Sequence, residues 1–130
     1  MSDRSTQPMP TLDSGPTYPE LGLFIDGAWT QSSSGRAVDV VDPATEAVLG
    51  AVPMAAEADV DRAIAAAHRS FPAWRDLGPE SRSLILRRTA ALLRERADVI
   101  GAVMTLEQGK PHPEATGEVL RAAALLEWNA

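Results

Sequence analysis

The chain has 130 residues, a length that suits one domain or part of a larger one, and 45% of them are apolar, enough for a hydrophobic core. The net charge is −6, whereas a protein that binds nucleic acid needs a positively charged surface. The chain has no cysteine, which excludes disulfides, thiolate metal sites and a cysteine nucleophile. Because no apolar run approaches the ~20 residues of a membrane span and the N-terminus carries no signal pattern, we expect a soluble cytoplasmic protein without membrane partners.

The start of the chain is predicted to form a tail and a tight hairpin. Residues 1–20 are polar and contain four prolines, which remove backbone donors and favour a flexible tail. Asp26-Gly27 lies between the short strands predicted at residues 23–25 and 28–30. Both turn positions favour positive φ, so this dipeptide predicts a two-residue hairpin.

A second hairpin is predicted after a Ser-rich loop. Residues 31–35 carry no nucleophile motif, and we interpret them as a solvated turn. Residues 37–41 and 48–52 are predicted strands joined by a turn at residues 42–45, with Pro53 ending the second strand.

From about Glu57 the apolar spacing changes to the 3.6-residue period of a helix. The first helix is expected to end at Pro72 and to carry the stripe Val60, Ile64, Ala67 and Phe71. Gly78-Pro79 predicts the start of a second helix, because the missing N–H of proline costs nothing at the first helical position. Its stripe is Leu86, Ala90, Leu93, Ala97 and Ile100, with a break expected at residues 96–98.

Two further helices complete the prediction. The third carries Val99, Val103, Met104 and Leu106 and is expected to end at Gly109, beyond which Pro111 and Pro113 prevent continuation. The fourth is predicted from about Glu114 to the end, with the apolar face Val119, Ala122, Ala123 and Leu126. The fold class is therefore α/β, or α+β within this segment: β-hairpins followed by about four helices.

None of the candidate polar clusters predicts a catalytic or cofactor-binding residue. Residues 105–111 lack the full phosphate-loop pattern and are interpreted as a helix end with Lys110 beside it. The early glycines lack dinucleotide spacing. His68 and His112 lack the close pairing of a metal site, and Glu114 and Glu118 are interpreted as a solvated face near Arg121.

The order of several segments resembles the aldehyde dehydrogenase family from Leu21 to Ala130. Residues 24–29 resemble the family's first hairpin, and residues 39–48 its V-x-N-P-A-T segment, with Asp42 where asparagine is usual. Residues 59–67 and 71–74 resemble its first helix and the aromatic turn after it, and residues 106–111 its L-E-x-G-K-P signature.

The last helix is most similar to the succinate-semialdehyde dehydrogenase branch, through Glu118-Val119 and Glu127-Trp128. Four further positions depart from the pattern. His112-Pro113 replaces an apolar-Ala pair, Ala56 replaces a Ser or Thr helix cap, and Asn129 replaces an aromatic residue near the substrate tunnel.

The resemblance implies an N-terminal portion, residues 21–130, of an enzyme that oxidises an aldehyde to a carboxylic acid with NAD or NADP. In the family the catalytic cysteine and glutamate and the cofactor-binding residues lie downstream of this segment, so the resemblance implies an incomplete Rossmann-like cofactor domain. It also implies a monovalent-cation site like that of some relatives, to which the backbone carbonyls of Val40 and Val41 and the carboxylate of Glu107 contribute and whose other ligands lie downstream of this segment. We expect this chain alone to bind no cofactor and to be inactive.

Three functions remain open at this point. The first is a scaffold whose partner is the remainder of the dehydrogenase chain, in a family that is usually homo-oligomeric. The second is an interaction module that docks onto or complements a related subunit. The third is an unrelated helical binding protein acting through the arginine-bearing second helix. If the chain is a scaffold or an interaction module, its helices have apolar faces that the missing partner would cover. The isolated chain would expose these faces to water, so we expect it to be marginally stable, to aggregate or to form a molten state.

Overall fold

Two antiparallel hairpins precede four helices in the computed structural model, which describes residues 18–130. The prediction of a tail therefore falls, for residues 1–17, outside the described residues. Strand β1 (Leu23–Ile25) pairs with β2 (Ala28–Thr30), and β3 (Ala37–Val41) pairs with β4 (Val48–Pro53). The helices are α1 (Glu57–Asp76), α2 (Pro79–Glu95), α3 (Ala97–Gln108) and α4 (His112–Trp128). This mixed architecture confirms the predicted fold class.

The first hairpin has the predicted turn. Asp26 and Gly27 adopt φ values of 55° and 79°, the left-handed conformation that a two-residue turn of this kind requires. Phe24 lies opposite Trp29 in the register, and their ring centroids are 5.1 Å apart with a tilt of 59°. This cross-strand aromatic pair stabilises a hairpin that has only three residues in each strand.

The second hairpin contains an irregularity close to its turn. Val40 pairs with Gly50, whereas Val41 pairs with Val48, so Leu49 is an extra residue on β4. Asp42 organises the turn: its Oδ1 accepts the Ala44 N–H at 2.8 Å, and its Oδ2 accepts the Thr45 hydroxyl at 3.0 Å. The backbone carbonyl of Asp42 also accepts the Glu46 N–H at 2.8 Å, so this one residue supplies three acceptors to the turn.

Helix α1 passes through Pro72, so the prediction that this proline ends the helix is wrong. Proline removes a single N–H, and the helix loses only one backbone hydrogen bond of its ladder. The ladder resumes after it, and the Leu77 N–H donates to the Ala73 carbonyl at 3.2 Å where the helix ends. The helix therefore extends to Asp76, one turn beyond the predicted end.

The remaining helix boundaries follow local backbone chemistry. A non-helical Arg96 (φ −104°, ψ 11°) separates α2 from α3 where a break was expected, and Gly109 ends α3 with a φ of 69°, as predicted. The assignment of Ala97 and Ile100 to the stripe of the second helix is wrong, because the break places both residues on α3. Helix α4 begins at His112, two residues before the predicted Glu114. Pro113 is tolerated in the first turn, because N–H groups there have no partner within the helix.

Small side chains form the contact between α2, α3 and α4. The buried apolar residues on these helices are Ala90, Ala97, Ala115, Val119 and Ala123. On α4 the buried residues follow a spacing of four, and Ala122 is exposed, so its assignment to the buried face is wrong. The prediction of close packing through alanine is confirmed, and no side chain larger than valine is fully buried among the apolar residues described.

Gly101 and Gly117 both lie inside helices, but an added methyl group would meet different surroundings. A Cβ on Gly101 would lie 2.6 Å from Thr116 Oγ1 and 3.0 Å from the Thr116 backbone nitrogen, whereas on Gly117 it would meet only Arg121 Nη1 at 3.4 Å. We expect Gly101→Ala to lower the free energy of unfolding by about 1–3 kcal/mol and Gly117→Ala to raise it by about 0.5–1 kcal/mol. Thermal unfolding followed by circular dichroism measures the change in stability of each variant. If both substitutions stabilise the protein, or both destabilise it, this explanation is wrong.

Candidate functional site

Tyr18 connects the second hairpin to the end of α3. Its hydroxyl donates to Glu107 Oε1 at 2.5 Å, across 89 residues of sequence. Its ring lies against Gly50, where an added Cβ would approach Tyr18 Cδ1 to 2.9 Å. The Tyr18 side chain therefore contacts both β4, at the strand partner of Val40, and the carboxylate of Glu107.

A second contact holds the same two elements together. A Cβ on Gly109 would lie 3.1 Å from Pro43 Cγ, so the turn between β3 and β4 sits directly against the end of α3. Gly109 has a φ of 69°, which a residue with a side chain adopts only with strain. Glycine at this position therefore satisfies both the helix end and the close approach of the turn.

The family resemblance implies three cation donors in this region, and that site stays a prediction. The donors, the carbonyls of Val40 and Val41 and the carboxylate of Glu107, are hard oxygen ligands. The register shift falls between Val40 and Val41, and it leaves Leu49 on the opposite strand without a pairing partner. Within residues 18–130 there is no group of three His, Cys, Asp or Glu side chains that could hold a metal ion, so backbone oxygens would have to contribute.

The environment of Tyr18 favours its protonated form. Burial is the main cause that raises the pKa of Tyr18 to about 12, and the hydrogen bond to Glu107 and the negative charge of that carboxylate add to it. The phenol therefore remains a hydrogen-bond donor to Glu107 throughout the neutral range. Tyr18 was placed in the predicted tail, and the only signal that could have singled it out is that it is the one tyrosine of the chain.

A buried carboxylate fastens the start of α1 to the Ser-rich loop. Asp59 is only 1% exposed, and its Oδ2 accepts the N–H groups of Ala56 at 2.9 Å and Ser33 at 3.0 Å. Its Oδ1 is paired with Arg62 at 2.6 Å. A capping box has two reciprocal hydrogen bonds between the N-cap residue and the third residue of the helix. Ala56, at the N-cap, has no side-chain acceptor and cannot form the first, but the Asp59 carboxylate forms the second by accepting the Ala56 N–H.

The Ser-rich loop is a solvated turn only in part. Ser32 is buried, and its hydroxyl donates to the Met54 carbonyl at 2.6 Å and lies 3.3 Å from Asp59 Oδ2. The interpretation of Ser32 as solvated is therefore wrong, whereas Ser33 and Ser34 are exposed as expected. Ser32 and Ser33 both contact the Asp59 carboxylate, and we call this set of contacts the clasp around Asp59. The Ser32 hydroxyl therefore has a structural role.

The charged residues on the helices form ion pairs between elements. Lys110 binds Glu118 at 2.6 Å, and this contact is the main cause that holds the pKa of Glu118 below its ordinary value. Arg94 on α2 binds both carboxylate oxygens of Glu127 on α4, at 3.1 and 2.7 Å. One arginine of the basic helix thus contacts a neighbouring helix.

The structure places the two histidines on separate helices. His68 is exposed on α1. His112 is the first residue of α4, where its Nε2 lies 3.1 Å from the Asp98 carbonyl oxygen. The two histidines therefore lie apart, in agreement with the absence of a close pair in the sequence.

Large apolar side chains are exposed along α1 and the first hairpin. Val60, Ile64 and Phe71, three members of the predicted α1 stripe, are exposed, with Ile64 at 63%. A shallow groove of about 350 Å³ runs between α1 and β1, lined by Leu23, Phe24, Ile25, Val60 and Ile64 among others. The expected exposure of apolar faces is confirmed. None of the helices in the described part of the chain combines the length and apolar character needed to cross a membrane.

Comparison with models of known protein families shows the family to which the chain belongs. The Aldehyde dehydrogenase family matches residues 29–130, which is most of the chain. The chain belongs to the aldehyde dehydrogenase family. The resemblance found in the sequence is thereby confirmed, and the match lies over the N-terminal region of the family.

The relatives of this aldehyde dehydrogenase segment are much longer proteins. It is 44% identical to a glutarate-semialdehyde dehydrogenase of Pseudomonas aeruginosa, over 81% of this chain and 22% of the relative. It is also 44% identical to the succinate-semialdehyde dehydrogenase [NADP(+)] GabD of Escherichia coli, over 82% and 22%. The chain thus spans about a fifth of the length of the curated relatives it matches.

A solved structure gives the same result for the fold. The crystal structure of an E. coli NADP-dependent enzyme aligns with a TM-score of 0.82 at 41% identity, covering 91% of this chain and 24% of that chain. The family neighbours are NAD(P)-dependent aldehyde dehydrogenases, and the hairpins and helices described above are their N-terminal architecture.

Proposed function

We propose that residues 21–130 form the N-terminal scaffold of an NAD(P)-dependent aldehyde dehydrogenase, which oxidises an aldehyde to a carboxylic acid. The 130-residue chain alone is inactive in this proposal. The observation that carries it is the absence of cysteine from a chain that matches the family over residues 29–130. A thiolate nucleophile must then come from outside these residues.

The exposed apolar faces support the role of scaffold. A monomeric protein rarely leaves several large apolar side chains of one helix in water, and such faces mark surfaces that another part of the protein covers. Phe24, Ile64 and Phe71 are all more than half exposed on α1 and the hairpin beside it. In this proposal the remainder of the dehydrogenase chain covers them.

The residues of this segment do not provide a dinucleotide site. The glycine fingerprint and the βαβ unit of such a site are missing from the sequence. The segment instead contributes the carbonyls of Val40 and Val41 and the Glu107 carboxylate to a monovalent-cation site, where a bound cation would fix the second hairpin against the end of α3. Support for this assignment comes from the hard-oxygen donor set and the adjacency of the two elements.

The substrate class we propose is a semialdehyde that carries a second acidic group. Two relatives at 44% identity act, by their names, on glutarate semialdehyde and succinate semialdehyde. The segment also has Glu127-Trp128 near its end, the pair that resembles the succinate-semialdehyde branch. Asn129, which replaces an aromatic residue of that branch, caps α4 by donating to the Leu125 carbonyl at 2.7 Å.

A second proposal is an interaction module that docks onto a related dehydrogenase subunit or complements a separate C-terminal piece. The exposed end of α4 favours it, since Trp128 is 87% exposed and Leu125 lies beside it in the open. Co-expression with a dehydrogenase polypeptide that lacks its first residues, followed by purification through a tag on this chain, tests it. A stable complex supports complementation, and recovery of the chain alone contradicts it.

The inactivity of the chain is tested by a cofactor-reduction assay. We expect the purified 130-residue chain to produce no NADH or NADPH with succinate semialdehyde, glutarate semialdehyde or simple aliphatic aldehydes, because no thiolate is present to attack the carbonyl. A complete semialdehyde dehydrogenase is the positive control. Any turnover by the chain alone would contradict the proposal.

The intact mass of the protein in its native source separates the two proposals. Peptides from residues 21–130 identify it. A mass near 13.8 kDa favours a short chain that acts with a partner, and a much larger mass favours one polypeptide that contains its own catalytic residues.

A further inference from the structure

We propose that the open edge of β1 is a docking surface for a second copy of this chain, whose own β1 adds to it as an antiparallel strand. The inference concerns the 130-residue chain without the remainder of a dehydrogenase, so it goes beyond the proposed function. Each copy places its β1 in the groove between β1 and α1 of the other copy.

The groove between β1 and α1 lies along the edge of the strand and not on a face of the hairpin. It is lined by four consecutive residues, 22–25, and by no residue of β2. Successive residues of a strand point to opposite faces, so a pocket on one face is lined by alternate residues. The α1 side of the groove is formed by Val60, Ala63 and Ile64, of which Ile64 is 63% exposed. A strand in this groove therefore contacts both the edge of β1 and an apolar stripe of α1.

The backbone of Phe24 supplies the hydrogen-bonding groups of this edge. In a two-residue hairpin the residues that flank the turn, here Ile25 and Ala28, form a hydrogen-bonded pair, and bonded and non-bonded pairs then alternate. Phe24 and Trp29 are the next, non-hydrogen-bonded pair, so the N–H and C=O of Phe24 point away from β2. Within residues 18–130 β1 has no strand on that side, and one donor and one acceptor are open to a partner.

This edge is complementary to itself. A two-fold axis places Phe24 of one copy opposite Phe24 of the other, and the two residues exchange both of their outward hydrogen bonds. Leu23 then lies opposite Ile25 of the second copy, on the face of the hairpin that meets α1. On the other face the Phe24 ring, which is 61% exposed, has the ring of its copy as a cross-strand neighbour.

The charges near the edge favour a second copy in the antiparallel arrangement. None of the three residues of β1 is charged, and none is a proline, so β1 lacks the residues that usually prevent pairing at an edge. Asp26 follows the strand and forms an ion pair with Arg69 at 3.0 Å. Antiparallel pairing places the two Asp26 carboxylates at opposite ends of the paired strands, whereas parallel pairing brings these like charges together.

Analytical ultracentrifugation of the purified chain, with two substitutions of one residue, tests the strand pairing. The contact is small, in the weak class below about 1,200 Å², so we expect a monomer–dimer equilibrium that shifts with protein concentration. Phe24→Pro and Phe24→Ala both remove the ring, but only proline also removes the outward N–H. We expect Phe24→Pro to weaken the dimer roughly tenfold more than Phe24→Ala, the worth of the hydrogen bonds that Phe24 donates.

Trp29→Pro and Trp29→Ala are the matched control, because Trp29 holds the equivalent position on the other edge of the same hairpin. We expect these two variants to dimerise equally. Hydrogen exchange in the unmodified chain tests the same contact without a substitution. The Phe24 N–H should exchange roughly tenfold more slowly in concentrated than in dilute solution, and the Trp29 N–H at the same rate in both.

The other outcomes overturn the proposal. A chain that is monomeric at every concentration, or that forms only large aggregates, does not pair through this edge. If Phe24→Pro and Phe24→Ala weaken the dimer equally and the Phe24 N–H is not protected, the copies meet through side chains and the strand pairing is wrong. Each of these results leaves the dehydrogenase assignment unaffected.

Discussion

Replacing Asp59 with asparagine is expected to accelerate amide hydrogen exchange at Ser33 and Ala56 by roughly ten- to a hundredfold, the effect of losing hydrogen bonds to a charged acceptor. The carboxylate accepts both N–H groups and also pairs with Arg62. Asparagine keeps one acceptor and turns an NH2 group towards the remaining donors. Because the side chain is almost fully buried, water does not replace the lost bonds.

Asp61→Asn provides the matched control for this experiment. Asp61 lies on the same turn of α1 and carries the same charge, but it is exposed. We expect exchange at Ser33 and Ala56 to be unchanged in that variant. Equal acceleration in both variants would show that charge near the start of the helix matters and that the clasp around Asp59 does not.

The protonation of Asp59 predicts the pH range in which the clasp fails. The hydrogen bond from the Ala56 N–H is the main cause that holds the pKa of Asp59 well below its usual range, with Arg62 and Ser33 adding to it and burial opposing it. A lowered folded pKa means that the contribution is complete above the unfolded value of about 4 and is lost as the pH falls towards the folded value. Corrected exchange rates at Ser33 should therefore stay level near neutrality and rise only in strong acid.

The parts of the fold that the sequence predicted are those fixed by a few adjacent residues. Asp26-Gly27 adopts positive φ at both positions, and Gly109 ends α3 in the left-handed conformation, because these preferences belong to the residues themselves. The same reasoning failed at Pro72. The local rule states what proline removes from a helix, but the surrounding residues decide whether the helix continues, and here it does.

The parts that escaped prediction depend on contacts between distant residues. Asp59 meets Ser33 across 26 positions, and Tyr18 meets Glu107 across 89. Nothing in the local pattern around a serine-rich loop or a proline-rich tail identifies which side chain becomes buried. Val40, Val41 and Glu107 were named through family resemblance, and their role in cation binding stays a prediction.

Ile64→Asn is expected to leave the short chain's folding nearly unchanged but to destabilise a complete dehydrogenase. In the 130-residue chain Ile64 is 63% exposed, so the substitution should leave helix content nearly unchanged and reduce binding of a dye that reports exposed apolar surface. In a complete dehydrogenase that contains this segment, our proposal places Ile64 against the rest of the protein. The same substitution should then lower the free energy of unfolding by about 1.5–3 kcal/mol, the worth of burying one such side chain.

Ala66→Asn is the control that shows whether the difference between the two polypeptides is specific to the exposed face of α1. Ala66 lies on the same helix but is only 7% exposed, so this substitution should reduce helix content in the short chain and stability in the complete enzyme alike. Circular dichroism, dye fluorescence and denaturant unfolding measure the four combinations. If Ile64→Asn is harmless in both polypeptides, the α1 face is not a buried contact in the dehydrogenase, and the scaffold role assigned to it is wrong. A destabilising effect in the long polypeptide alone supports the proposal that this face is buried in the complete dehydrogenase.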